Sequence, residues 1–277
     1  MTASEQGGAR RYVDGPHGQL HVRTWTARKA SAAPPLLCLH PVPYSGHYFS
    51  TIAPLLQDAR DVVALDYPGY GGSDRGGTSS ICDYAAAARA VLNALYGENT
   101  PTDILGFHTG CLVGAELSRA APGAVRRLAL IDCPYFEAKA RAEMRAKIGR
   151  GLQLTPELAC LEDAWAFSVA RRLDAMPLVR AFDLFIEQLR AGENGADGFQ
   201  AAFSYPCEEA FPKLAAPALF IATQSFLLEP TRAAAAIAPG ARLCERLDIT
   251  GAVMEQGAEA IASEVLTFLD AKDASGS

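Results

Sequence analysis

The run Gly106-Phe107-His108-Thr109-Gly110 sets an imidazole between two glycines. It lies where a short apolar stretch from Asp103 gives way to a helix-period segment beginning at Thr109. Small residues on either side of such a junction let a strand turn tightly into a helix with the central side chain aimed outward. Histidine tolerates the positive φ of that turn better than most residues. At the first turn of a helix its ring also feels the positive end of the helix dipole, which disfavours imidazolium. A neutral imidazole accepts a proton, donates a hydrogen bond, attacks a carbonyl or binds a metal, so His108 is read as a base or nucleophile.

The remaining histidines are His17, His21, His40 and His47, and none lies beyond residue 108. A metal held by His40, His47 and His108 is conceivable. No carboxylate or cysteine stands at ligand spacing beside them, however, so neither a metal nor a cofactor is expected. Asp132, at the carboxyl end of an apolar run, is placed either to orient His108 or to cap its own turn. The seven cysteines form no CxxC pair and mostly sit in apolar runs, which reads as reduced, buried thiols rather than a disulfide framework.

The elements that must position these groups follow from periodicity. Gly18–Thr26 alternates as an early antiparallel strand would. Short apolar runs at 35–40, 61–66, 102–107, 126–132, 218–223 and 242–249 alternate with helix-period segments. That is the pattern of a mostly parallel central sheet flanked by helices, an α/β fold. The interval between the runs at 126–132 and 218–223 reads as helix throughout, with Leu158, Leu161 and Trp165 and then Leu178, Phe182, Phe185, Ile186 and Leu189 at helical spacing. The expected division is therefore a core of 1–133 and 213–270, a helical cap at 134–212, and a disordered tail at 271–277.

With 277 residues, 49% hydrophobic and a formal charge of −6, the chain has material for a sizeable core and no basic stripe. Nucleic acid and anionic membranes are excluded as expected partners, leaving a small molecule. No apolar core suited to a signal peptide opens the sequence, and no stretch approaches the roughly eighteen apolar residues of a membrane span. A cytoplasmic location is expected, and a homodimer is possible.

Three motifs, in order, resemble those of the α/β-hydrolase family. "LLCLHPVPYSGHYF" looks like its strand and oxyanion loop, "VVALDYPGYGGSD" like its D-x-P-G-x-G-x-S, and "ILGFHTGCLVGAEL" like its nucleophile elbow. The resemblance implies an α/β-hydrolase fold with a helical lid inserted after the sixth strand. It also implies oxyanion donors from the Thr109 and Val42 backbone amides, with Tyr44 and Ser45 offering hydroxyls in the same loop, and His40 beneath that loop. The family's catalytic histidine maps to Ala252, and its acid to a stretch, Gln224-Ser225-Phe226, whose nearest carboxylate is Glu229. A Ser-His-Asp triad is thus excluded by inventory.

Two functions follow. In the first, His108 promotes hydrolysis or lyase-type cleavage of a small, largely apolar carbonyl compound such as an ester, lactone or β-dicarbonyl, with Ser45 as a possible displaced nucleophile and Asp132 or Glu229 as acid. In the second, the protein is a catalytically inactive member of the fold that binds a hydrophobic small molecule.

Overall fold

The computed structural model describes residues 7–98, 100–147, 152 and 154–272. Among these residues eight strands form one sheet: β1 (Ala9–Gly15), β2 (Gly18–Trp25), β3 (Leu36–Leu39), β4 (Val62–Leu65), β5 (Thr102–Phe107), β6 (Val125–Ile131), β7 (Ala218–Thr223) and β8 (Arg242–Arg246). Their order is β1-β2-β4-β3-β5-β6-β7-β8. The β1–β2 and β2–β4 pairs are antiparallel and the rest parallel. The chain crosses from one side of β3 to the other between β4 and β5. Ligands of open parallel sheets bind at the carboxyl edge beside such a reversal.

Among the described residues ten α-helices accompany the sheet: α1 (Ala53–Leu56), α2 (Ile81–Tyr96), α3 (Thr109–Ala120), α4 (Ala138–Lys147), α5 (Glu162–Ser168), α6 (Leu178–Ala191), α7 (Gly195–Ser204), α8 (Cys207–Ala210), α9 (Leu228–Ile237) and α10 (Ala258–Leu269). The buried strands are apolar on both faces, and side-chain alternation divides them into two layers. Leu37, Leu39, Ile104, Leu128, Leu130 and Phe220 pack with α2 and α3. Leu36, Cys38, Leu105, Phe107, Ala129, Ile131 and Ile221 pack with α1 and α10.

Between β6 and β7 the described residues form only helices and loops. They are not detached from the core. Ala181, Leu184 and Phe185 of α6 join the α1–α10 layer, while Ala201 and Ala202 of α7 and Cys207 of α8 join the α2–α3 layer. All seven cysteines are free, and Cys38, Cys111, Cys133 and Cys207 are buried, whereas Cys82 is exposed. Among the described residues no helix is long and apolar enough to cross a membrane. The tail expected to be disordered falls, at 273–277, outside the described residues.

Candidate functional site

The turn from β5 into α3 is built by contact between backbones. A Cβ on Gly106 would come 2.6 Å from the Gly110 carbonyl oxygen, and one on Gly110 would come 1.9 Å from that of Leu39. Both glycines are therefore required by close approach, and β3 is drawn against the start of α3. His108 takes the strain of the turn, with φ 49° and ψ −116°. Its own amide donates to the Ile131 carbonyl at 3.1 Å and its carbonyl accepts from the Cys111 amide at 2.9 Å. These bonds fix the backbone and leave the ring unengaged: among the described residues, no group hydrogen-bonds the imidazole.

The ring lies beside Phe107 (centroids 4.1 Å apart) and faces Phe226 edge-on at 6.2 Å. It borders a cavity of about 310 Å³ at the carboxyl ends of β5, β6 and β7 and the segment after β8. Tyr48, Asp132, Thr223, Ser225, Ala252 and Val253 contribute to that wall. Phe167, Arg171, Arg172 and Ala175, from α5 and the turns after it, close it from above. Burial, with the nearby Arg172 guanidinium, pushes the His108 pKa down to about 3. The imidazole is therefore neutral throughout the physiological range.

Asp132 reaches the cavity but not through a bond to His108. Its own φ is 46°. One carboxylate oxygen accepts from the Thr223 amide at 2.8 Å and the other from the Thr223 hydroxyl at 2.6 Å. Burial raises its pKa, with the Thr223 bonds opposing. The carboxylate thus ties the end of β6 to the end of β7.

His40 is fully buried. Its Nε2 accepts from the Tyr67 amide at 3.0 Å, so the proton sits on Nδ1 and is donated to the Pro41 carbonyl at 3.0 Å. Burial lowers its pKa to about 4. The ring also packs against Tyr67, 4.0 Å between centroids. It pins the loop after β3 to the loop after β4. His47 has its Nδ1 against the Ser50 hydroxyl at 2.9 Å. Among the described residues no group of three His, Cys, Asp or Glu side chains is placed to hold a metal ion.

The other polar residues of the loop after β3 divide. Tyr44 is buried, and its hydroxyl accepts from Arg172 Nη2 at 3.0 Å while the guanidinium lies 5.6 Å from its ring. It supports the cavity wall from behind. Ser45 is directed elsewhere: its hydroxyl donates to Glu187 of α6 and accepts from the His47 amide at 3.2 Å, capping the short turn Gly46–Phe49. It does not line the cavity with His108. Glu229 does not either, because the chain after β7 folds into α9. There Glu229 is 77% exposed and paired with Arg232. Neither the Ser45 hydroxyl, expected near a bound carbonyl or as a displaced nucleophile, nor the Glu229 carboxylate, expected as the acid, stands on the cavity wall with His108.

Val42 and Thr109 are buried, the former with its side chain in the α2–α3 layer. What each can present is a backbone N–H, and the Thr109 amide opens a helix whose first donors lack intrahelical acceptors. Asp66, beside this loop, accepts from the Gly46 amide (2.8 Å), the Gly72 amide (2.9 Å) and His21 Nδ1 (2.8 Å). Burial would raise its pKa, but the bonds from His21 and Gly72 outweigh it and hold it low. Asp66 is architectural.

A family profile described as alpha/beta hydrolase fold matches residues 34–225, more than half of the sequence. The chain belongs to the α/β-hydrolase fold family. Its similarity to a serine hydrolase-like protein of Danio rerio is 29% identity over 140 residues, covering 50% of this chain and 41% of that protein. The corresponding human serine hydrolase-like protein is 30% identical over 124 residues, covering 44% of this chain and 59% of its own length. The matched part thus spans well under two thirds of either relative. Among solved structures, an enol-lactonase from Burkholderia xenovorans LB400 superposes with a TM-score of 0.76 at 20% identity, covering 94% of this chain and all of the lactonase (100%). A hydrolase from Pseudomonas aeruginosa PA01 gives 0.77 at 22% identity, with 95% and 99% covered. At these identities the structures speak for the fold.

Proposed function

We propose that this hydrolase-fold chain is an enzyme in which His108 acts as base or nucleophile in the hydrolysis or lyase-type cleavage of a small carbonyl compound, an ester, lactone or β-dicarbonyl species. The observation that carries this reading is a neutral, unengaged imidazole held on a strained turn at the wall of a cavity of about 310 Å³. Strain persists where the surrounding structure over-determines it, and such positions cluster at working sites. The helices between β6 and β7 serve as the cap, with Phe167 and the arginines above the ring. Tyr48, Phe107, Phe226 and Val253 supply apolar surface for the carbon skeleton.

In hydrolysis, a water adds to the carbonyl carbon as His108 takes its proton, and the backbone N–H of Thr109, aided by that of Val42, receives the developing oxyanion. Collapse expels the alkoxide, which takes the proton back from the imidazolium. Atoms and charge balance without an acyl-serine. Replacing His108 with alanine or glutamine should lower turnover of p-nitrophenyl esters or lactones at least about a hundredfold. Ser45→Ala should leave it nearly intact, because that hydroxyl is committed to Glu187. Undiminished turnover in His108→Ala would overturn the assignment.

A second reading rests on Asp132, whose oxygens are both taken by Thr223, and on Ala252, which lines the cavity where the family's histidine maps. A ring with no orienting carboxylate also suits a binder of small molecules. Recovery of a bound ligand chemically unchanged after prolonged incubation supports that reading, and recovery of a cleaved one refutes it.

A further inference from the structure

The charged side chains on the His108 cavity are unequal in sign. Arg171 and Arg172 are its cations, and Asp132 is its sole carboxylate among the described lining. Asp132 is turned to Thr223 through both oxygens, so it answers neither guanidinium. Arg172 is held in place by Tyr44, through one hydrogen bond and the face of its ring. Its Nη1 is buried without a hydrogen-bond partner.

The carboxylate whose charge acts on Arg172 is Glu255, but that carboxylate is engaged by Arg180 Nε at 2.9 Å. Its free oxygen makes no hydrogen bond, and none bridges it to Arg172. One carboxylate is thus shared between two guanidinium groups. Arg171 lies on the ring of Phe167, 5.8 Å from its centroid, with no carboxylate of its own on the cavity. The Arg172 guanidinium, partly removed from water, held by Tyr44 and short of an anion, is what carboxylate recognition uses, while Arg171 is exposed at the rim.

We infer that the molecule taken by this cavity carries a carboxylate, seated at Arg172 with Arg171 at its edge, so that its carbonyl group lies against His108. The inference rests on the reading of His108 as the reactive group and names the substrate class for that same site. It also supplies what the resting imidazole lacks. Arg172 is the charge that depresses the His108 pKa beyond burial, and an anion on Arg172 cancels that field. Binding the acid therefore makes the ring a better base at the moment it is needed.

The test uses the full chain and matched probes: the monomethyl esters of succinic, glutaric and adipic acids, each with one carboxylate, against their dimethyl esters. Binding is followed by calorimetry and by ligand-observed NMR. At least one half-ester should bind roughly tenfold or more tightly than its diester, a gap that narrows with added salt. Arg172→Gln should abolish the preference and Arg172→Lys should keep most of it. In the unaltered protein at neutral pH the half-ester should shift the His108 ring signals in histidine side-chain NMR more than its diester does, a readout that does not depend on any variant folding. Equal or tighter binding of the diester, no binding of any half-ester at millimolar concentration, or a preference that survives Arg172→Gln would each overturn the proposal. His108→Gln separates the two readings. A variant that has lost turnover but keeps the half-ester preference supports both, whereas His108-dependent cleavage of diesters with no anion preference sinks this inference alone.

Discussion

His108 holds its imidazole on a backbone that glycine adopts at little cost and other residues do not. Alanine and glycine replacements both remove the ring and its contact with Phe107, but only alanine keeps the Cβ that makes the turn costly. His108→Gly should therefore be more stable than His108→Ala by about 1 kcal/mol, the reverse of the usual order. Urea denaturation of the two variants decides it, and equal midpoints would place the strain elsewhere. At this scale the sequence was partly legible. The elbow glycines and the turn follow from spacing; the helix dipole leads to the expectation of a neutral histidine, but in the structure burial and Arg172 are what lower its pKa. The aim of Ser45, Glu229 and Asp132 does not, because each is decided by a partner distant in sequence: Glu187, the fold of α9, and Thr223. Arg171 and Arg172 carry no signal in the sequence, because two adjacent charges in a helical interval read as a solvated face.

The helices between β6 and β7 are fastened to the sheet by an ion pair as well as by apolar contact. Arg180 of α6 donates to Glu255 and also to the His47 and Tyr48 carbonyls at 3.2 and 3.0 Å. Glu255 is 6% exposed, and burial raises its pKa. Arg180→Ala leaves that carboxyl stranded and should cost about 3 kcal/mol, while Arg180→Met with Glu255→Leu should recover most of it. A double-mutant cycle by thermal or chemical denaturation measures this, and additive losses would contradict it. Elements proved more readable than contacts. The buried parallel strands β3 to β7 are short, largely apolar runs and are legible within a residue or two, whereas β8 is an exposed edge strand, Arg-Leu-Cys-Glu-Arg, whose end the sequence does not mark. β1 is not legible in the sequence because it is an edge strand, exposed along most of its length, with no alternation of apolar and polar positions to reveal it.

Across the whole molecule, three imidazoles sit below their ordinary range: His40 at about 4 and His47 and His108 at about 3. Burial leads in each, joined at His47 by Arg180 and Arg23 and at His108 by Arg172. All three are neutral when folded and take up protons near pH 6.5 when unfolded. The stability they contribute is thus complete above that pH and is lost as pH falls towards 4 and then 3. His40 alone accounts for about 3 kcal/mol at the low end. Urea midpoints should fall clearly between pH 7 and pH 4.5, and an unchanged midpoint would show that these rings are not neutral in the folded state. The fold family was legible at this scale because three motifs in order fix one chain path through the sheet. The expected partition into core and cap was drawn from helical periodicity alone, which says nothing of what a helix packs against. Because α6 joins one face of the sheet while α7 and α8 join the other, that partition has a thermodynamic consequence. The segment that roofs the cavity, fastened through these helices, should have no melting event of its own, and a compound bound beneath it should raise one unfolding temperature for the entire protein; two separate transitions in a calorimetric scan would contradict this. Screening by heat, without knowledge of any reaction, is therefore a way to search for what this chain binds.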